Sequence, residues 1–173
     1  TSGIAMLNGY NLQPLTIIAV LYVAIFLCGR ISGAHFNMAV TIGIYVVYGK
    51  WKEHLKILVV YFLAEIFGTV MGLLVSHFVK NGDKEFILRP TDLSDSWLYI
   101  LSVEFLFTTV FVSLIFHLKE PGLTITKDGA MGAWSVVFAL YAAIGVTSNV
   151  TGACLNPNIG LSTVIFNNIT EDD

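Results

Sequence analysis

The sequence predicts an all-α membrane protein in which a bundle of spanning helices encloses two shorter helices that enter the bilayer without crossing it. Three observations carry this. Hydrophobic residues make up 55% of the 173 positions and charged residues only 12%, with a mean hydropathy of +0.76, whereas a soluble domain carries about 25% charge. Four apolar runs reach the roughly 20 residues needed to cross a hydrocarbon core of about 30 Å. Two polar stretches, Ser32-Gly33-Ala34-His35-Phe36-Asn37 and Thr151-Gly152-Ala153-Cys154-Leu155-Asn156, look like copies of each other, and each leads into an apolar piece too short to span.

Taken in order, the first span covers residues 14–28, with Leu12 extending it outward and Ile31 inward. Asn11 and Pro14 form its start, because proline fits a first helical turn where an amide donor is spare. After the first polar stretch comes the short apolar piece 38–48, then a polar and basic connection over 49–56. The second span is 55–79, followed by a mixed-charge loop over 80–96 and the third span, 97–118. A turn around Pro121-Gly122 within 119–128 leads to the fourth span, 129–148. The second polar stretch then introduces the last short piece, 157–166. A short apolar segment led in by glycine and a hydroxyl residue is the pattern of a re-entrant half-helix, tolerated at membrane depth only where its irregular backbone is covered by protein or lines a cavity. Two of them imply such a cavity.

Basic residues set the orientation. With the first span running inward, Arg30, Lys50, Lys52, Lys56, Lys119 and Lys127 fall on the cytoplasmic side, and Lys80, Lys84 and Arg89 outside. Six against three favours this orientation by the positive-inside rule. The acidic end Glu171-Asp172-Asp173 then lies outside, with the glycosylation patterns Asn149-Val150-Thr151 and Asn168-Ile169-Thr170. The first of these sits too close to the second half-helix for easy modification.

Other function classes find no support. A net charge of −3 without clustered Lys and Arg excludes phosphate-backbone recognition, so no nucleic-acid partner is expected. Cys28 and Cys154 give neither a disulfide framework nor a metal-ligand spacing. Thr1 to Tyr10 lack the pattern of a signal peptide. No nucleophile with its base, metal cluster or phosphate loop is present, so no enzyme, metal or cofactor is expected. The expected surroundings are a lipid bilayer of unspecified identity and water or a small neutral solute.

The chemistry of the paired loops follows from helix ends. A helix N-terminus leaves four amides unpaired and carries roughly half a positive charge. Two such ends meeting at the midplane repel a cation and orient a neutral dipole. Asn37 and Asn156 at the cap positions accept local backbone N–H groups through their side-chain oxygens, leaving their amide hydrogens for the pore. A passing water or hydroxyl with both lone pairs engaged by these donors relays protons poorly.

These residues resemble the aquaporin, or major intrinsic protein, family. Ser32 to Thr41 is similar to the family's Ser-Gly-Ala-His-x-Asn-Pro-Ala-Val-Thr, departing at Met38; Thr151 to Pro157 is similar to its second loop, departing just beyond at Asn158 and Ile159. Glu104 to Thr108 looks like the buried Glu-x-x-x-Thr of the family's fourth helix. Tyr61 to Gly68 looks like Tyr-x-x-x-Gln-x-x-Gly of its third helix, with Glu65 for Gln. The resemblance implies an aquaporin-like bundle whose two half-helices meet at the midplane, one domain over 1–173 with inverted-repeat halves at about 1–80 and 97–173. It also implies a homotetramer. Only helices two to five and both half-helices have counterparts, so the chain is expected to be either a stretch of a longer polypeptide or completed by other chains.

The resemblance assigns the outer filter to Ile17, Ile144, Ala153 and Ile159, the last standing where the family has Arg. An all-apolar ring offers no donors to replace lost water contacts. It either favours larger, less polar neutral solutes or stays dry and closed. Met38 loses the locked angle of proline and adds an amide that must find a partner or face the pore. Asn158, where the family has Ala, either caps locally or narrows the path. His35 is expected to pack against the loop. Glu65 and Glu104 are costly in a bilayer and should face the bundle interior with partners; Glu104 is read as an acceptor for half-helix loop amides, with a proton relay by the pair as the competing role. Gly68 and Gly72, four apart on one helix face, have the spacing for close helix approach, the alternative being a lipid-facing position. The expected function is a passive channel for water or small uncharged solutes such as glycerol. The rival is a non-conducting structural subunit of a larger membrane assembly.

Overall fold

The computed structural model describes residues 13–49, 51–79, 90, 92, 94, 96–120, 122–124 and 126–170. Among them the regular structure is six helices: α1 Gln13–Ser32, α2 Met38–Tyr48, α3 Trp51–Val79, α4 Trp97–Lys119, α5 Gly129–Thr147 and α6 Pro157–Thr170. Helices α1, α3, α4 and α5 contain spans long and apolar enough to cross a membrane, while α2 and α6 carry apolar segments too short to do so. At about 1.5 Å per residue the 11 residues of α2 reach roughly half of a 30 Å core. Thr1 to Leu12, Lys50, Lys80 to Arg89, Pro121 and Glu171-Asp172-Asp173 lie outside the described residues, and with them the expected helix start at Asn11 and the outer basic residues.

Two boundaries differ from expectation for identifiable reasons. Helix α1 continues past Cys28 to Ser32, whose hydroxyl donates back to the Cys28 carbonyl at 3.3 Å. The connection expected over 49–56 is mostly helix, since α3 begins at Trp51. Gly49 ends the short helix: at φ 65° it caps α2 in the left-handed conformation, with its N–H on the Val46 carbonyl at 3.2 Å. Ahead of α4, the exposed Asp92 carboxylate accepts the Ser94 N–H and hydroxyl, which hold its carboxyl below the usual carboxylate range. Asp128 opens α5 by accepting the Ala130 N–H at 2.8 Å.

Helix α1 packs on α5, α5 on α4, and α3 on α6; α2 lies against α3 and α4 and touches α6. The half-helices therefore each dock on spanning helices, α2 on α3 and α4 and α6 on α3. Val40 of α2 is buried with Phe111 and Ile115 of α4. Ala143 and Ile144 of α5 bury Leu155 of the second loop. Gly43 permits the α2–α4 approach, because a Cβ there would stand 2.6 Å from Phe116 Cζ and 3.1 Å from Val112 Cγ1. At Gly68 and Gly72 a Cβ would meet nothing within 4 Å. The close helix approach expected at that pair is thus absent among the described residues, and it occurs instead at Gly43. The long apolar side chains of α3, such as Leu63 and Phe67, face outward, as they do where lipid tails rather than protein cover a helix.

Candidate functional site

The two polar loops fold alike, residue for residue. Gly33 and Gly152 take φ of 74° and 85°; Ala34 and Ala153 take 49° and 56°; Phe36 and Leu155 both take 49°. For a residue with a Cβ this left-handed region costs roughly 1–2 kcal/mol, so each loop holds two such residues against their preference. The hydroxyl that opens each loop helps: Ser32 Oγ accepts the Ala34 N–H at 3.3 Å, and Thr151 Oγ1 accepts the Ala153 N–H at 3.1 Å. The repeated hydroxyl-Gly-Ala pattern is the sequence record of this geometry.

Each loop ends in an asparagine that caps its half-helix. Asn37 Oδ1 accepts the Ala39 N–H at 2.9 Å, and Asn156 Oδ1 accepts the Asn158 N–H at 3.1 Å. The side-chain nitrogens then cross between loops. Asn37 Nδ2 donates to the Leu155 carbonyl at 2.8 Å, and Asn156 Nδ2 donates to the Phe36 carbonyl at 2.9 Å. The two half-helix N-termini are thereby clasped end to end through a reciprocal pair of bonds. One hydrogen of each carboxamide is spent on this clasp. Each carboxamide therefore keeps one hydrogen outside the clasp, where both were expected to be available to the pore.

Glu104 of α4 holds the second loop. Its Oε1 accepts the Cys154 N–H at 3.0 Å and the Thr151 hydroxyl, and its Oε2 accepts the Leu155 N–H at 2.8 Å. Hydrogen bonds to a charged group contribute about 1.5–3 kcal/mol each, comparable to the strain of the loop they restrain. The first loop is held differently. Tyr61 of α3 donates to the Ser32 carbonyl at 2.6 Å, and Lys119 of α4 donates to the Gly33 carbonyl at 2.8 Å. His35 packs its ring on Tyr61 at 4.7 Å between centroids and lies 3.1 Å from Thr41 Oγ1 through Nδ1. The Thr41 hydroxyl donates to Glu65 Oε1 at 2.6 Å, and Glu65 Oε2 is buried without a partner among the described residues.

Asn158 does not line the cavity of the two asparagines described next, but a cleft against α3. Only 2% exposed, it turns toward α3 and donates to Thr69 Oγ1 at 2.8 Å, tying the second half-helix to a spanning helix. Its backbone N–H goes to Asn156, so its side chain is free for this bond. Met38 is the first residue of α2 and also lies outside the lining of the cavity described next. Thr151 is buried and bonded to Glu104, which removes the Asn149 glycosylation pattern from reach.

One cavity of about 320 Å³ joins the remaining residues. Ile17 of α1, Ile144 of α5, Ala153 of the second loop and Ile159 of α6 all line it, as do Asn37 and Asn156. Leu21, Ile25, Phe111 and Leu140 form an apolar wall facing the backbone of the two loops. Lys119 also borders this space, a placement that its reading as one more cytoplasmic cation did not anticipate. Clefts against α3 flank the first loop, with His35, Tyr61 and Glu65 on their walls.

Bilayer-length helices around two clasped half-helices, with a mixed polar and apolar cavity at the clasp, define an integral multi-pass membrane protein of the pore-forming kind. The model of the major intrinsic protein family matches residues 7–172, and the chain belongs to that family. Its members are membrane channels for water or small solutes rather than enzymes. Comparison with curated proteins finds no match.

Proposed function

We propose that the chain forms a passive channel for small uncharged solutes of the glycerol type, with water as a lesser permeant. The observation that carries this reading is the shared cavity. Its lining includes Ile17, Ile144, Ala153 and Ile159 together with Asn37 and Asn156, which supports reading the four apolar residues as a ring on the same path as the carboxamides. A polyol has a hydrocarbon face for the aliphatic wall and an oxygen edge for the loop backbone and the two remaining amide hydrogens. Water gains nothing from the wall and loses hydrogen bonds at the ring. The two half-helix N-termini supply positive potential at the midplane, which disfavours protons and cations.

In this reading Asn37 and Asn156 are the solute-facing donors, and Glu104 is a structural acceptor rather than a proton relay. The chain acts as one domain of two inverted halves and assembles as a homotetramer in the bilayer, as the family resemblance implies. The apolar ring also favours a second reading, a non-conducting subunit of a larger membrane assembly. Stopped-flow light scattering on proteoliposomes of the full-length polypeptide separates the two. Glycerol-driven reswelling should exceed that of empty liposomes several-fold, and rates equal to the empty control would leave the structural reading standing instead.

A further inference from the structure

Lys119 borders the cavity at the opposite end from the apolar ring. It is the last residue of α4, and the orientation set by the basic residues puts it at the cytoplasmic mouth. Its ammonium is fixed there, donating to the Gly33 carbonyl at 2.8 Å across 86 positions of sequence. An ammonium has three N–H donors, so this bond leaves two for water or solute. Among the described residues no carboxylate lines the cavity: Glu104 is committed to the second loop from behind, and Glu65 opens into a cleft on the α3 side. The outer ring, where Ile159 stands, carries no charge at all.

We propose that Lys119 is a second charge-selectivity element of this pore, added to the positive half-helix ends at the midplane: pinned over the inner mouth by Gly33, its ammonium rejects cationic solutes that the uncharged outer ring does not. This rests on the channel reading above. The competing role is a structural tie, since a lysine near a helix end also satisfies exposed carbonyls. Charge and hydrogen bonding separate the two. Lys119→Gln keeps a donor for Gly33 and removes the charge, whereas Lys119→Arg keeps both.

The test uses two solutes of nearly equal size, glycerol and its cationic congener 3-aminopropane-1,2-diol at pH 7, with proteoliposomes of the full-length polypeptide corrected for empty liposomes. The quantity read is the ratio of cation to glycerol permeability. One unit charge removed from the inner mouth should raise the ratio about tenfold in Lys119→Gln. In Lys119→Arg the ratio should stay within about twofold of the wild-type value. An unchanged ratio in Lys119→Gln, with glycerol still conducted, overturns the assignment and leaves the channel reading intact. Loss of both fluxes in Lys119→Gln marks the residue as a structural pin and overturns it too. Absence of glycerol flux in the wild-type protein overturns both readings.

Discussion

The carboxamide of Asn37 caps its own half-helix through Oδ1 and fastens the other loop through Nδ2, and Asn156 does the same in the opposite direction. These two functions can be separated chemically. Aspartate preserves the cap acceptor but loses the donor, and it sets a carboxylate oxygen against the carbonyl it replaced as partner. Leaving one buried acceptor unpaired costs about 1–3 kcal/mol. Asn37→Asp is therefore expected to destabilise the protein by that amount in detergent unfolding and to slow glycerol flux, although α2 keeps its cap. Unchanged stability would mean that the clasp between the loops contributes nothing. At this scale the sequence was informative because a hydroxyl, a Gly-Ala pair and an Asn recur at the same spacing. It was silent on Asn158, since one residue type serves as a pore donor or as a tie to Thr69 depending on which way a helix faces.

Helix lengths were legible wherever the hydrocarbon core dictates them, which is why the spans and the short segments emerged from hydropathy alone. Boundaries set by a single bond or a single glycine were not. The left-handed cap at Gly49 shortens the connection before α3, and nothing in the polar character of residues 49–56 distinguishes a loop from a helix's first turn. Spacing also misdirected the search for close contacts, because Gly68 and Gly72 have the expected interval yet face open space, whereas the isolated Gly43 sits under Phe116. Only the docking of α2 against α4 makes that position critical. Gly43→Leu places a side chain where even a Cβ would collide, and overpacking of this kind costs roughly 1–3 kcal/mol. Thermal unfolding in detergent should show the loss; a variant as stable as the parent would mean that α2 and α4 are farther apart than described.

For the whole molecule, the half-helices act as a shared keystone: Glu104 grips one loop from α4, Tyr61 and Lys119 grip the other, and α3 is bonded to both half-helices through Thr41 and Asn158. The family resemblance supplied the filter positions, and Ile17, Ile144, Ala153 and Ile159 do border one cavity with both asparagines. The bond between Lys119 and Gly33 was hidden because α4 and the first loop are distant in sequence and meet only in the fold. The central claim is that this cavity is the conduction path and that its apolar ring sets the solute preference. Replacing Ile159 by Arg restores a fixed donor and a charge to the ring without touching the clasp. The decisive measurement is the ratio of glycerol to water permeability for the wild-type protein and Ile159→Arg in matched proteoliposomes. A fall of about tenfold, equivalent to roughly 1.4 kcal/mol between the two solutes, is the expected result. An unchanged ratio, with both proteins conducting, would place the selective constriction somewhere other than this ring.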